Sequence, residues 1–151
     1  MSRSIRRWFV SEDPEAGLLD DRRVEWVRII PFILLHIGCA LVFVTGFSVT
    51  ALVVCIAAYW ARMFAITAFY HRYFSHRAFR ASRIMQFMFA FAGGTAAQRG
   101  PLWWAAHHRK HHKHSDSERD AHSPHEHGLL WAHMGWFTTE FGHWTDLDQV
   151  R

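Results

Sequence analysis

Cysteine is scarce in this sequence: Cys39 and Cys55 are the only two, and each lies inside an apolar run. Such spacing argues against a disulfide framework and against a metal site built from thiolates. The sequence also contains no internal repeat and no glycine-rich nucleotide-binding loop. The basic start, from Met1 to Trp8, is followed by acidic residues instead of an apolar core, so we expect no cleaved signal peptide.

Charge is missing from a long central stretch. Residues 29–61 contain no Asp, Glu, Lys or Arg, and the apolar character continues to residue 70, interrupted only by Arg62. Spanning a bilayer takes about 20 helical residues, so this stretch is long enough for two spans. Helix propensity is lowest at residues 45–48, so we place the break there and the two spans at about 29–46 and 49–70. A buried helical hairpin of a soluble protein is the alternative.

Arginine flanks the outer ends of both predicted spans. The residues are Arg22, Arg23 and Arg28 before the first span, and Arg72, Arg77, Arg80 and Arg83 after the second. Because a hairpin places both ends on one side of the membrane, the positive-inside rule makes that side cytoplasmic. Arginines beside apolar spans mark a membrane protein more often than a nucleic-acid-binding one, so nucleic acid is not an expected partner. We therefore predict an all-α integral membrane protein: a polar segment at 1–28, a transmembrane helical hairpin, and then interfacial and cytoplasmic helices. We expect His36, inside the first span, to be neutral and hydrogen-bonded instead of a ligand.

The most informative stretch, residues 107–114, contains five histidines in eight residues. If this stretch is helical, His108, His111 and His112 are spaced i, i+3, i+4 and share one stripe. Three neutral imidazoles on one face can converge on zinc, copper, iron or nickel. A solvated basic tract, or adventitious metal binding by a His-rich run, is the alternative.

A second histidine pair, His71 and His76, follows the second predicted span. Five residues correspond to about 140° around an α-helix, so we expect the pair to converge only where the span ends and the chain bends. Residues 84–97 are apolar but short and contain two glycines, which favours an interfacial or re-entrant helix. The aromatic-rich residues 128–144 predict an amphipathic helix on the membrane surface.

Both histidine groups match a known family. Residues 71–77, H-R-Y-F-S-H-R, resemble the first histidine box, H-R-x-x-S-H-R, of the membrane acyl-CoA and acyl-lipid desaturases. Residues 108–112, H-R-K-H-H, resemble the second box, H-R-x-H-H. Residues 120–124, D-A-H-S-P, and residues 128–136 are similar to the family's sequence after that box. Two boxes in order, behind apolar spans and with matching flanks, are far more specific than a single histidine pair.

The resemblance implies a fold and a reaction. Family members have four transmembrane helices, a cytoplasmic cap, and two Fe²⁺ ions held by histidines from three boxes. With O2 and an external electron donor of the ferredoxin or cytochrome type, they introduce a cis double bond, usually at Δ9, into an acyl-CoA or acyl-lipid chain. The iron ligands that the resemblance implies in this sequence are His71, His76, His108, His111 and His112. It implies no ligand role for His107, His114, His122, His125, His127, His133 or His143.

The residue types suit such chemistry. Removing hydrogen from an alkyl chain is beyond ordinary side-chain acids and bases, so a redox metal must carry it, and zinc has no redox chemistry. A carboxylate or carbonyl partner normally orients each ligating histidine. Asp116, Glu118 and Asp120 are the candidates here, and solvation at the surface is the alternative fate of each.

Four residues are candidate substrate contacts: Gln98, Trp104, Arg72 and Arg77. Trp104 could line a substrate cavity, with packing or a position at the membrane interface as its alternative. The two arginines, like Arg109 of the second box, could contact an acidic acyl-carrier headgroup such as a CoA phosphate. Anchoring to lipid phosphate is the alternative for all three arginines.

The sequence departs from the family in one respect. The third box, another H-x-x-H-H, and the third and fourth spans have no counterpart in residues 1–151. Five histidines are too few for the family's two-iron site, so we expect residues 29–151 to be the N-terminal part of the desaturase domain, inactive alone. Two alternatives stay open: a related di-iron lipid hydroxylase, and a non-enzymatic His-rich membrane protein that binds zinc or copper.

Overall fold

The computed structural model describes residues 22–150, and the all-α prediction is confirmed for that range. Strand pairing among these residues is limited to an isolated bridge between Val24 and Thr139. The described residues form two compact units, one of residues 31–105 and one of residues 22–30 with 106–150. Of the polar segment predicted at 1–28, residues 1–21 lie outside the described range.

The helices follow one another in this order: α1 Trp26–Ala40, α2 Val42–Thr45, α3 Val49–Phe64, a π-helical segment Ala65–Ser75, α4 Arg83–Gly94, α5 Pro101–His114 and α6 Pro124–His127. The rest are single turns: a π turn at Trp131–Gly135 and 3₁₀ turns at Trp136–Thr138, Phe141–His143 and Leu147–Gln149. Helix α4 coincides with the short apolar stretch predicted to be helical.

The prediction of one amphipathic helix at 128–144 is wrong. Two threonine hydroxyls end the helical winding: Thr138 Oγ1 donates to the Gly135 carbonyl at 2.7 Å and Thr139 Oγ1 to the Trp136 carbonyl at 2.8 Å. Threonine side chains compete with the backbone in this way and favour turns over helix interiors. The backbone of Thr139 is extended, so the chain changes direction there.

Two stretches are long and apolar enough to cross a membrane. The first is Trp26–Thr45, which consists of α1 and α2. The second is Val49–Ser75, which consists of α3 and the π-helical segment. Only 6% of the most apolar window of each is buried within the protein, whereas the core helix of a soluble domain would be mostly covered. These exposed apolar side chains, together with the absence of charge at 29–61, indicate a membrane protein. The predicted spans at 29–46 and 49–70 overlap both stretches.

Local sequence explains the break between the two stretches. Gly46 has a φ of +76°, in the left-handed region that favours glycine. Ser48 then caps α3, because its backbone is extended and its hydroxyl accepts a hydrogen bond from the Ala51 N–H at 3.4 Å.

Tyr70 is the central buried side chain of the 31–105 unit, with none of its surface exposed. Its hydroxyl contacts the carbonyl of Ala90 at 3.2 Å and the carbonyl of Arg99 at 3.0 Å. Gly93 lies directly against the ring, where a Cβ atom would overlap ring carbons. These contacts fix the π-helical segment against α4 and against the turn that precedes α5.

Candidate metal site

His71 and His76 come together because the chain between them is wound as a π-helix. In this winding each hydrogen bond spans five residues, so residues five apart lie one turn above each other. The His76 N–H donates to the His71 carbonyl at 3.1 Å, and Ser75 Oγ donates to the Tyr70 carbonyl at 2.9 Å. The convergence that we expected from a bend therefore comes from the helical winding itself.

The two imidazoles of this pair face each other. Their Nε2 atoms are 3.2 Å apart, and their rings are steeply inclined with centroids 4.6 Å apart. Two imidazole nitrogens bound to one ion at about 2.1 Å and at right angles would be about 3.0 Å apart. The separation therefore fits a shared metal ion, and it also fits a hydrogen bond between two neutral rings. The indole of Trp104 meets the His71 ring edge-on at 6.2 Å.

A second facing pair lies on α5, in the other unit. His108 and His112 are one α-helical turn apart, with Nε2 atoms 3.0 Å apart and ring centroids 4.5 Å apart. His111 lies on the same stripe, with its ring centroid 5.7 Å from that of His112 and 6.4 Å from that of His108. The helix and the stripe that the i, i+3, i+4 spacing predicted are both present.

Asp120 holds the ring of His111. His111 Nδ1 donates to Asp120 Oδ1 at 2.9 Å, and Asp120 is 1% exposed. The carboxylate also accepts the backbone N–H of His122 at 2.9 Å and that of Asp116 at 3.1 Å. Burial raises the pKa of Asp120, but the hydrogen bonds from His111, His122 and Asp116 outweigh burial and hold the pKa below its ordinary value. Asp120 is therefore an ionised acceptor at neutral pH.

Two further histidines pack as structural groups. The ring of His122 contacts Trp136 with centroids 4.4 Å apart. Burial, and then the neighbouring His111, lower the pKa of His122 and outweigh the opposite effect of the Asp120 charge. His107 Nε2 donates to the Trp144 carbonyl at 2.8 Å, and the His107 ring also lies against Trp136.

The histidine inside the first span is hydrogen-bonded, as expected. His36 Nδ1 donates to the Phe32 carbonyl, one turn earlier, at 2.8 Å. Outside the spans, His127 Nε2 donates to the Glu118 carbonyl at 3.1 Å. In both histidines one ring nitrogen is therefore hydrogen-bonded to a backbone carbonyl.

Gln98 and Trp104, two of the candidate substrate contacts, are joined by a hydrogen bond. The indole N–H of Trp104 donates to Gln98 Oε1 at 3.0 Å. Ala97 and Arg99, on either side of Gln98, have φ values of +58° and +64°. Non-glycine residues in this region cost of the order of 1 kcal/mol each and tend to occur at functional sites. The turn is strained, and Trp104 and Tyr70 fix it in place.

Gln98 also lines an open cavity of about 330 Å³ in the same unit. The other lining residues are Cys55, Tyr59, Arg62, Met63, Ile66 and Ala96. A volume of this size lies within the range of small-molecule sites, which are typically about 300–1,000 Å³. The lining is mostly apolar, with Arg62 and Gln98 among its polar groups.

Sequence reasoning missed one residue of this cavity wall. Arg62 Nε donates to the carbonyl of Thr95, at the C-terminal end of α4, at 3.0 Å. A cation is favourable at that end of a helix. The available signal was a single arginine interrupting an apolar span, which marks a functional candidate by default. Arg72 and Arg77, the two arginines that we did single out, are exposed.

Comparison with known proteins supports the desaturase resemblance. The sn-1 stearoyl-lipid 9-desaturase of Anabaena variabilis is 35% identical over 116 residues, which cover 76% of this chain and 42% of that protein. The Delta-9 acyl-lipid desaturase 1 of Arabidopsis thaliana is 35% identical over 115 residues, covering 76% and 37%. The acyl-CoA C20 Delta5-desaturase of Anemone leveillei is 38% identical over 103 residues, covering 68% and 32%.

No family model matches the chain, and no solved structure is significantly similar to it. The chain spans about two fifths, or less, of the length of these curated relatives. The similarity nevertheless extends over most of the chain, and the matched proteins share one activity in their names. Over about three quarters of its length, the chain is therefore similar to part of the fatty acid desaturases.

Proposed function

We propose that this chain is the N-terminal part of an O2-dependent, di-iron fatty acyl desaturase that forms a cis double bond, at Δ9, in an acyl-CoA or acyl-lipid. The observation that supports this most is the pairing of imidazoles, His71 with His76 and His108 with His112, in a relative of named desaturases. Residues 29–151 are then the first part of the desaturase domain. The chain alone is inactive, because the third histidine box must come from elsewhere.

In this proposal the iron ligands are His71, His76, His108, His111 and His112. Neutral nitrogen donors suit iron, and the 3.0 Å and 3.2 Å separations within the two pairs suit binding to a shared ion. Bound iron would supply the redox chemistry that breaks unactivated C–H bonds. The chain's own contribution is to hold the ring nitrogens in position, through the π-helical winding for His71 and His76 and through α5 for the histidines of the second box.

The cavity beside Gln98 would accept part of the acyl chain. Its lining is mostly apolar, and the Trp104–Gln98 hydrogen bond fixes one polar group at its wall. Arg72 and Arg77 are exposed and basic, so in this proposal they contact the acidic headgroup of the acyl carrier. Lipid phosphate is the competing partner of both arginines.

We further propose that the protein is multi-pass and that both histidine boxes lie on the cytoplasmic side. The arginines beyond the two spans support this orientation through the positive-inside rule. A cytoplasmic site would be accessible to an external electron donor of the ferredoxin or cytochrome type. Removal of two hydrogens with reduction of O2 to water requires two electrons from such a donor.

Anaerobic loading of the chain with ⁵⁷Fe²⁺ in detergent micelles, followed by Mössbauer spectroscopy, tests the iron site. We expect a high-spin ferrous signal that is converted to ferric iron by O2. Replacement of His108 and His112 by alanine should remove it, whereas replacement of His125, whose side chain is 88% exposed, should not. Absence of bound iron, or binding that survives loss of both box histidines, would contradict the proposal and favour a zinc- or copper-binding protein.

A further inference from the structure

We propose that Asp120 is a positioning residue: it holds His111 in the tautomer protonated at Nδ1, so that Nε2 is presented to the metal. This inference rests on the proposed function, because it assigns His111 to a metal ion. It concerns how one of the five ligands is oriented, and it distinguishes one carboxylate from its two neighbours in sequence.

The hydrogen bond itself determines the tautomer. An ionised carboxylate can only accept, so the 2.9 Å contact between His111 Nδ1 and Asp120 Oδ1 requires the proton to be on Nδ1. In the neutral ring the other nitrogen, Nε2, then carries a lone pair, which is the form that binds a metal ion. A carboxylate partner also increases the basicity of the ligating nitrogen and limits rotation of the ring.

Asp120 can act in this way because its own position is fixed independently of His111. Two backbone N–H groups, those of Asp116 and His122, donate to its carboxylate, and 1% of the residue is exposed. The loop therefore places the carboxylate, and the carboxylate places the ring. His111 is about one third exposed, so its ring would otherwise be free to choose between orientations on α5.

The neighbouring acids do not share this arrangement. Asp116 contributes its backbone N–H to the Asp120 carboxylate, and its own side chain is exposed. Glu118 is exposed as well, and it contributes its carbonyl to His127. The sequence offered three acids as partners of the second box. Among the contacts of the described residues, only the carboxylate of Asp120 lies against a histidine of that box.

The tautomer can be measured directly in the metal-free chain. The full chain, labelled with ¹⁵N-histidine and held in detergent micelles, gives long-range ¹H–¹⁵N spectra in which the two ring nitrogens of His111 are distinguished. We expect protonated Nδ1 and unprotonated Nε2 in the wild type. Protonation of His111 at Nε2 in the wild type would overturn the proposal, and this measurement needs no variant to fold.

Substitution then separates positioning from a general loss of structure. In Asp120→Asn an NH2 group replaces one acceptor oxygen. This donor must then face either His111 Nδ1 or one of the two backbone N–H groups that the carboxylate accepted. Asp116→Asn makes the same change of charge in the same loop, at a residue whose φ of +56° asparagine tolerates. An NH2 group that opposes the ring requires an unprotonated Nδ1, so we expect a smaller fraction of the Nδ1–H tautomer in Asp120→Asn than in Asp116→Asn, with equal helix content by circular dichroism.

Titration with Co²⁺ alone gives a second measurement. Asp120→Asn should weaken Co²⁺ binding by about 10–100-fold and alter the visible spectrum, whereas Asp116→Asn should change neither. If Asp120 acts through His111, its replacement should cost little further affinity when His111 is already alanine. Wild-type Co²⁺ affinity in folded Asp120→Asn would overturn the inference and leave the proposed function intact. A wild-type chain that binds no metal would instead contradict the proposed function. The tautomer of His111, measured in the metal-free chain, would still show whether Asp120 orients the ring.

Discussion

His71 and His76 are five residues apart in sequence, yet their Nε2 atoms are 3.2 Å apart. An α-helix would place these two side chains about 140° apart, on different faces. The π-helical winding from Ala65 to Ser75 removes that offset. Single π-helical turns occur often at functional sites, and here the winding has a definite consequence, because it brings the two imidazole rings to face each other.

His76→Ala should weaken metal binding more than the loss of an orienting partner does, that is, by more than about 100-fold. The reason is that His76 supplies one of two facing nitrogens. Isothermal titration with Fe²⁺ under anaerobic conditions measures the affinity. His125→Ala, a change at an exposed histidine outside the boxes, is the matched control. Equal affinities of the two variants would show that the His71–His76 pair does not bind the metal.

Gly93→Ala should lower the free energy of unfolding by about 1–3 kcal/mol, because its Cβ would overlap the buried ring of Tyr70. Gly94→Ala is the control, since its Cβ would be 3.8 Å from the Tyr70 hydroxyl, an ordinary contact. Adding a better helix former to α4 should stabilise that variant by roughly 0.5–1 kcal/mol. Denaturant unfolding in micelles measures both, and a neutral Gly93→Ala would disprove the packing around Tyr70.

Trp104→Phe keeps an aromatic ring but removes the N–H that donates to Gln98. We expect a loss of about 0.5–1.5 kcal/mol in the free energy of unfolding, together with greater hydrogen exchange in the strained turn at 97–100. Trp103→Phe is the control, because its ring would still face the Arg99 guanidinium, which lies 4.9 Å from the indole centroid. If the two variants exchange alike, the Trp104–Gln98 bond does not hold the turn.

Adjacent histidines on α5 should respond to alanine in opposite ways. His107→Ala removes the hydrogen bond to the Trp144 carbonyl and the ring contact with Trp136, and should cost about 1–3 kcal/mol of stability. Its metal affinity should stay at the wild-type level. His108→Ala should lose metal binding with little change in the stability of the metal-free chain. Thermal unfolding and metal titration of both variants check this division of roles. Equal effects of the two substitutions on stability and on metal affinity would contradict it.

Periodicity and length predicted the helices that carry the site. The i, i+3, i+4 spacing of His108, His111 and His112 needs only a regular helix, and α5 is one. The two apolar stretches were equally clear, because their composition leaves few other structures. The break between them followed from Gly46 and Ser48, whose backbone preferences are local.

Tertiary effects could not be predicted from the sequence. The π-helical winding at His71 is stabilised by Tyr70, whose hydroxyl bonds to carbonyls 20 and 29 residues away. Choosing Asp120 over Asp116 and Glu118 required knowledge of which carboxylate the loop buries. The turns after Trp131 interrupted an apparently amphipathic pattern because the Thr138 and Thr139 hydroxyls compete for backbone carbonyls.

A chimera tests the central claim, that the chain forms the first part of a desaturase, most directly. This chain would replace the matching segment of the Anabaena variabilis sn-1 stearoyl-lipid 9-desaturase, which then supplies the rest of the protein. Expressed with an electron donor in cells that make no unsaturated fatty acids, the chimera should yield cis-monounsaturated acyl chains, detected by gas chromatography of methyl esters. The chain alone and a His112→Ala chimera should yield none. A membrane-inserted, iron-loaded chimera that forms no double bonds, beside an active parent enzyme, would contradict the account.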